Sequence, residues 1–177
     1  MTRYRKGVDQ LNEMPLELHK NSVIHEDAIS LVMVKLLREM LSHDMSGQFA
    51  LLQEAKQTIK EHIGEMDKFR EEYILWNDLP LLNVYAMIFG RDEEGYNKEL
   101  AEALELHKEY WSQEVTHDNG HVELRHRDWK GWIAWRLVAA ACIARSNGLM
   151  TKIQTPYLPE WLLAGDFEGL PTTVEVE

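Results

Sequence analysis

Apolar residues recur at helical spacing through most of this chain, and no stretch alternates in a way that marks a pair of strands. Ile29, Val32, Met33, Leu36, Leu37 and Met40 share one face of a helix predicted over 25–43, with Ser22 as its cap. Lys35, Arg38 and Glu39 fall on the remaining face. Asp44-Met45-Ser46-Gly47 interrupts the pattern, which resumes over 49–69 in a more polar helix suited to the outside of a bundle. Asn77-Asp78-Leu79-Pro80 then joins a capping side chain to a proline in the first turn. The apolar run Leu81–Phe89 follows as a short, mostly buried helix that Gly90 ends. A fourth helix is predicted from Asp92 or Tyr96 to Glu114, its acidic start suited to the positive end of the helix dipole.

His117-Asp118-Asn119-Gly120 reads as a turn, and a loop leads on to Asp128, the expected cap of the next helix. That helix, Trp129–Gly148, is apolar on nearly every face. Ile133, Leu137, Ala140 and Ala144 cover one side, and Trp135, Val138, Ala139 and Cys142 another. A helix apolar all round is normally buried by its neighbours. Trp129, Trp132 and Trp135 recur every three residues and are expected mainly to build core, with Trp129 the best aromatic anchor for an interface. Asn147-Gly148 closes the helix with a left-handed residue. Residues 150–155 read as extended, and Pro159–Ala164 as one short terminal helix. The expected fold is all-α: an irregular bundle of five to six helices around a buried Trp/Ala-rich central helix, as one domain over residues 1–177.

The chain of 177 residues is long enough for a real core. Its longest apolar run, Trp132–Ala144, is broken by Arg136 and falls short of the ~18–20 residues that span a bilayer, so no membrane partner is expected. The charged start MTRYRKGVDQ leads into no apolar export segment. The single cysteine, Cys142, cannot form an internal disulfide, and a small buried thiol is its expected state. Both features point to the cytoplasm. A formal net charge of −11 argues against nucleic-acid binding, since phosphates must be met by Lys and Arg.

That charge is unevenly spread. Between Asp92 and Asp118 nine carboxylates face only Lys98 and Lys108, while Arg125, Arg127, Lys130 and Arg136 make a short basic region. On an ideal helix Glu99, Glu102, Glu105 and Glu109 share one arc of roughly 120°. The plain explanation is a solvated face. Like charges at this spacing, however, destabilise a helix by a few tenths of a kcal/mol each, and they become favourable against a basic partner. The candidate partner-binding residues are therefore Glu99, Glu102, Glu105 and Glu109, with Asp92, Glu93 and Glu94 adjoining.

His117, His121 and His126, with Asp118 and Glu123 among them, raise a second possibility: a metal-dependent hydrolase using the His117–His126 loop. Asn119-Gly120 between the first two histidines opposes a shared helical face, and no metal or cofactor is assigned. The His-Asp pairs at His43-Asp44 and His117-Asp118 occur in metal-dependent phosphohydrolases, but a dipeptide alone specifies little. There is no Gly-rich phosphate loop and no Gly-x-Ser-x-Gly elbow. Arg136, inside an apolar helix, needs a carboxylate partner.

The stretches ALELHKEYW (Ala103–Trp111), GWIAWRLVAAACIARSNGL (Gly131–Leu149) and TPYLPEWLL (Thr155–Leu163) resemble the bacterial immunity protein 49 family. That family pairs a helix ending in His-Lys-x-Tyr-Trp with an Ala-rich helix and a closing Pro-containing segment. The same half is similar to immunity proteins that accompany nuclease effectors. The likeness covers about residues 92–165, carried by His107, Tyr110, Trp111, Tyr157 and Pro159, and departs in detail at Ser146–Gly148 and Thr155. It implies a helical cytoplasmic protein encoded beside a toxin, which it neutralises by binding. The reading that follows is an antitoxin without enzymatic activity, docking a cognate protein toxin such as a nuclease on the acidic stripe, with homo-oligomerisation left open. The alternatives are the hydrolase above and a helical regulatory or scaffold module.

Overall fold

The expected first helix forms as α1 (Ala28–Leu41) in a computed structural model that describes residues 13, 28–41, 47–118 and 120–164. Ser22, the His43-Asp44 pair, Asn119 and the acidic residues after Ala164 lie outside the described residues. Ile29, Val32, Leu36 and Met40 bury the inner face of α1. α2 (Gln48–His62) lies against it through Leu52, Ala55 and Ile59. The periodicity predicts one helix over 49–69. The chain instead leaves the helix at Ile63, and Gly64 takes a φ of +89°, where residues with side chains are strained. Asp67 then caps α3 (Lys68–Tyr73), accepting from the amides of Phe69 and Arg70 at 3.1 and 3.0 Å.

A π-helical turn (Ile74–Asp78) carries α3 into α4 (Leu79–Gly90) without a break. Asp78 is therefore not the helix cap that its place before Pro80 suggests. Its backbone is helical, its side chain makes no capping bond, and the residue is 2% exposed. Asp92 does cap, accepting from Gly95 N–H at 2.9 Å, and opens α5 (Glu93–Ser112). After a loop come α6 (Trp135–Ser146), ended by Gly148 at φ +83°, and the short α7 (Glu160–Ala164). α4 is the most enclosed helix. It buries Leu81, Leu82, Val84, Tyr85 and Ile88 and packs on α2, α5 and α6.

The class is all-α as expected, with two departures. Gln113 is extended and stops α5 at Ser112, before the predicted Glu114. A small antiparallel hairpin follows, β1 (Glu114–Thr116) on β2 (Val122–Leu124), with Val115 opposite Glu123. Three-residue strands are too short to show a period in sequence. The second departure concerns the apolar segment 129–148, which is not one rod. Arg125–Arg127 and Trp129–Gly131 are 3-10 turns, and Asp128 caps the second of them rather than α6, accepting from Lys130 N–H at 2.9 Å. Helix α6 begins only at Trp135 and buries its alanine side through Ala140, Ala141 and Ala144. Trp129, Trp132 and Trp135 are 61%, 66% and 47% exposed, so the alanines build core and these indoles do not.

Candidate functional site

Helix α5 separates two surfaces. On its outer side Glu94, Glu102, Glu105 and Glu109 are exposed and Glu99 is half-buried. Lys98 lies 3.9 Å from Glu102 and Lys108 lies 3.3 Å from Glu105, exposed pairs worth a few tenths of a kcal/mol each. Glu99 and Glu109 make no ion pair among the described residues. The other predicted positions serve the fold. Asp92 is the cap of α5, and Glu93 accepts from Lys152 Nζ at 2.7 Å and from Met150 N–H at 3.2 Å. The bond from Lys152 holds the Glu93 carboxyl below its usual range. These contacts tie residues 150–152 to the start of α5.

On the inner side Ala103, His107, Tyr110 and Trp111 border a cleft of about 530 Å³. Trp76 and Asn77 of the π-turn, Trp129 and Lys130 of the 3-10 turn, and Trp135 and Arg136 of α6 complete its walls. At 100° per residue this face is centred roughly 150° around α5 from the glutamates. His107 is 8% exposed and its Nε2 lies 3.2 Å from the Gly131 carbonyl. A carbonyl only accepts, so Nε2 carries the proton in that bond. Burial pulls the His107 pKa down, and the ring is neutral at physiological pH.

Two ionic clusters stiffen the floor and edge of this cleft. Arg136 bonds Asp78 Oδ1, while Arg70 lies 3.2 Å from Oδ2, so one buried carboxylate serves two arginines. This is the partner that the sequence demands for Arg136. Nearby, Arg125 is 2% exposed and donates to both oxygens of Glu72, at 3.2 and 2.9 Å, and to Gln113 Oε1 at 3.1 Å. Its guanidinium sits 4.0 Å from the centre of the Tyr110 ring. Burial raises the Tyr110 pKa to about 12, so the hydroxyl stays protonated. In sequence Arg125 reads only as part of a basic region. Glu72, its partner, is 53 residues away, and no local spacing connects them.

The histidine segment is the hairpin. His117 stacks on Phe69 with ring centres 4.3 Å apart and reaches Glu123 at 3.4 Å, while His126 lies 3.9 Å from Glu114. Among the described residues no three His, Cys, Asp or Glu side chains gather in a metal-binding group. Cys142 is half-buried, and that burial pushes its thiol pKa up, away from the reactive thiolate. No helix of the described residues is long and apolar enough to cross a membrane.

His107, Tyr110, Trp111 and Tyr157 thus come together as the sequence likeness requires: His107 packs edge-on against Tyr157 at 5.5 Å and Trp111 against Tyr110 at 5.2 Å. The packing role read for them holds, but three of the four also border the cleft. No curated protein and no solved structure matches the chain. The family model described as Immunity protein 49 matches residues 1–162, which extends the likeness from the second half across α1 to α4. The chain belongs to the Immunity protein 49 family.

Proposed function

We propose that this chain is a cytoplasmic immunity protein that neutralises a cognate toxin by direct stoichiometric binding, without catalysis of its own. Family membership over residues 1–162 is the observation that carries this reading. The contact surface that its charge favours is the ridge of Glu94, Glu99, Glu102, Glu105 and Glu109, flanked by Asp92 and Glu93. A toxin acting on nucleic acid needs a basic cleft to hold phosphates. A carboxylate ridge on a chain of net charge −11 is suited to occupy such a cleft, which makes a nuclease the preferred target.

Co-expression with the product of the neighbouring toxin gene tests both parts. The wild-type chain restores growth and forms a one-to-one complex with the toxin. Reversal of two ridge charges, Glu105→Lys with Glu109→Lys, abolishes protection while leaving the circular dichroism spectrum unchanged. Full protection by that variant removes the ridge from the reading. Failure of the wild-type chain to protect or to bind removes the immunity function itself.

A further inference from the structure

We infer that the outer edge of β1 is a docking edge for the cognate toxin, which adds to it an extended segment carrying lysine or arginine. This rests on the toxin-binding reading above. The register of the hairpin shows which backbone groups are free. His117 N–H donates to the His121 carbonyl at 2.8 Å, and Arg125 N–H to the Gln113 carbonyl at 3.2 Å. Bonded and non-bonded pairs alternate along an antiparallel ladder, so Val115 and Glu123 exchange the bonds between those two ends. The pairs Glu114–Leu124 and Thr116–Val122 therefore turn their N–H and C=O groups outwards. Those of Glu114 and Thr116 meet no partner among the described residues.

The two edges are not equivalent. On β2, Leu124 is half-buried and leads at once into the buried Arg125, whereas Glu114 and Thr116 are both exposed. The β1 edge carries no lysine, proline or bulge of the kind that guards an open strand. A two-stranded hairpin is marginal by itself, and main-chain bonding to an edge is a general way for an extended peptide to join a sheet. Water also satisfies an open edge, so hydrogen bonding alone selects no occupant. Charge does. From Glu109 to Leu124 the chain carries Glu109, Glu114, Asp118 and Glu123, and no lysine or arginine. Glu123 faces His117 and Arg125. Glu114 has His126 at 3.9 Å, while Asp118 and Glu109 make no ion pair among the described residues. The next cations along the chain, Arg127 and Lys130, make no ion pair with these carboxylates either. A basic strand laid along β1 would gain from this charge, and an acidic one would meet repulsion.

Amide hydrogen exchange, with and without the toxin domain encoded beside the chain, reads the edge directly. In the free chain the Val115 and His117 amides should exchange slowly and those of Glu114 and Thr116 fast. In the complex the latter two should slow by about tenfold or more. Thr116→Pro removes an outward N–H and fills the edge, a position where proline is compatible with a strand. It should weaken toxin binding about tenfold, while Thr116→Val, which keeps the N–H, leaves affinity unchanged. A thermal melt checks that the proline variant folds, and if it does not, exchange in the wild-type complex decides. Glu114→Gln with Asp118→Asn should weaken binding about fivefold at low salt. Glu114 and Thr116 amides as fast in the complex as in the free chain overturn the inference, as does protection of Val122 and Leu124 in their place. Tighter binding after charge neutralisation also overturns it. So does slow exchange of the two amides without toxin: dependence on concentration would make a second copy the occupant, and independence another segment of this chain. If the wild-type chain does not bind the toxin, the immunity reading fails first, and the two failures remain distinct.

Discussion

Gly131 packs so tightly on Trp111 that a Cβ added to the glycine would lie 2.6 Å from the tryptophan Cβ. The glycine is buried and its φ is ordinary, so the requirement is for space and not for a left-handed backbone. This approach joins the Trp129–Gly131 turn to the end of α5 and lets His107 reach the Gly131 carbonyl. Gly131→Ala should push the two walls apart and cost about 1–3 kcal/mol, the usual range for overpacking. Urea unfolding would measure the loss. Trp111→Ala in the same chain should not rescue it, because the nearest obstruction is the Cβ, which alanine keeps.

Asp78 neutralises two arginines from elements far apart in sequence, and it is the buried member of that cluster. Asp78→Asn keeps the size but removes the charge that Arg70 and Arg136 share. Removing one partner of a buried pair costs about 3–5 kcal/mol. Here the arginine side chains are 24% and 41% exposed and can turn partly to water, so about 2–3 kcal/mol is expected. Chemical denaturation of the variant checks it, and Arg70→Met with Asp78→Asn should be less damaging than Asp78→Asn alone.

Arg125 meets Glu72 through two parallel donors and stacks on Tyr110, a geometry that depends on the planar guanidinium. Lysine carries the same charge as a point on a flexible stem and cannot reproduce either contact. Arg125→Lys should therefore destabilise the chain by about 2 kcal/mol or more, far above the few tenths expected of an exposed Arg→Lys change. Arg127→Lys, at an exposed position in the same 3-10 turn, is the control. Equal melting temperatures for the two variants would contradict the account.

Periodicity and composition revealed the helical class, the inner face of α1 and the acidic start of α5, because each is written within a few residues of sequence. They failed where long-range contacts override local preference. The 129–148 segment reads as one apolar rod, yet Ala134 N–H bonds the Tyr157 carbonyl, and α6 starts only after that contact. Asp78 has the sequence context of a cap, but the demand of Arg136, 58 residues later, takes its carboxylate. The ridge was legible from spacing alone, whereas the cleft was not, since its walls come from α5, the π-turn, a 3-10 turn and α6. The motif residues His107, Tyr110 and Trp111 pointed to that place without showing that it opens to solvent.

Acid should loosen the cleft through His107. Burial lowers its pKa in the folded chain, so the unfolded chain takes up a proton first as pH falls through about 6.5. Its contribution to stability is intact above that value, declines as pH drops towards the depressed folded pKa, and is flat beyond it. His107→Gln retains an N–H for the Gly131 carbonyl but does not titrate. Between pH 7 and pH 5 the melting temperature of the wild-type chain should fall more steeply than that of the variant. Parallel curves would show that another group carries the acid sensitivity.

The ridge makes a different prediction, about rate. Exposed charges act over a Debye length of about 8 Å at physiological ionic strength, so their largest effect is on diffusional encounter. Glu105 and Glu109 are exposed, and the nearest cation to Glu105 is a lysine that is itself 55% exposed. If the ridge meets a basic toxin, Glu105→Gln with Glu109→Gln should slow association about tenfold at low salt and hardly change dissociation. The difference should shrink as salt rises. Stopped-flow association at two ionic strengths measures both effects. A slower off-rate alone on ridge neutralisation would mean that those carboxylates oppose the partner rather than attract it.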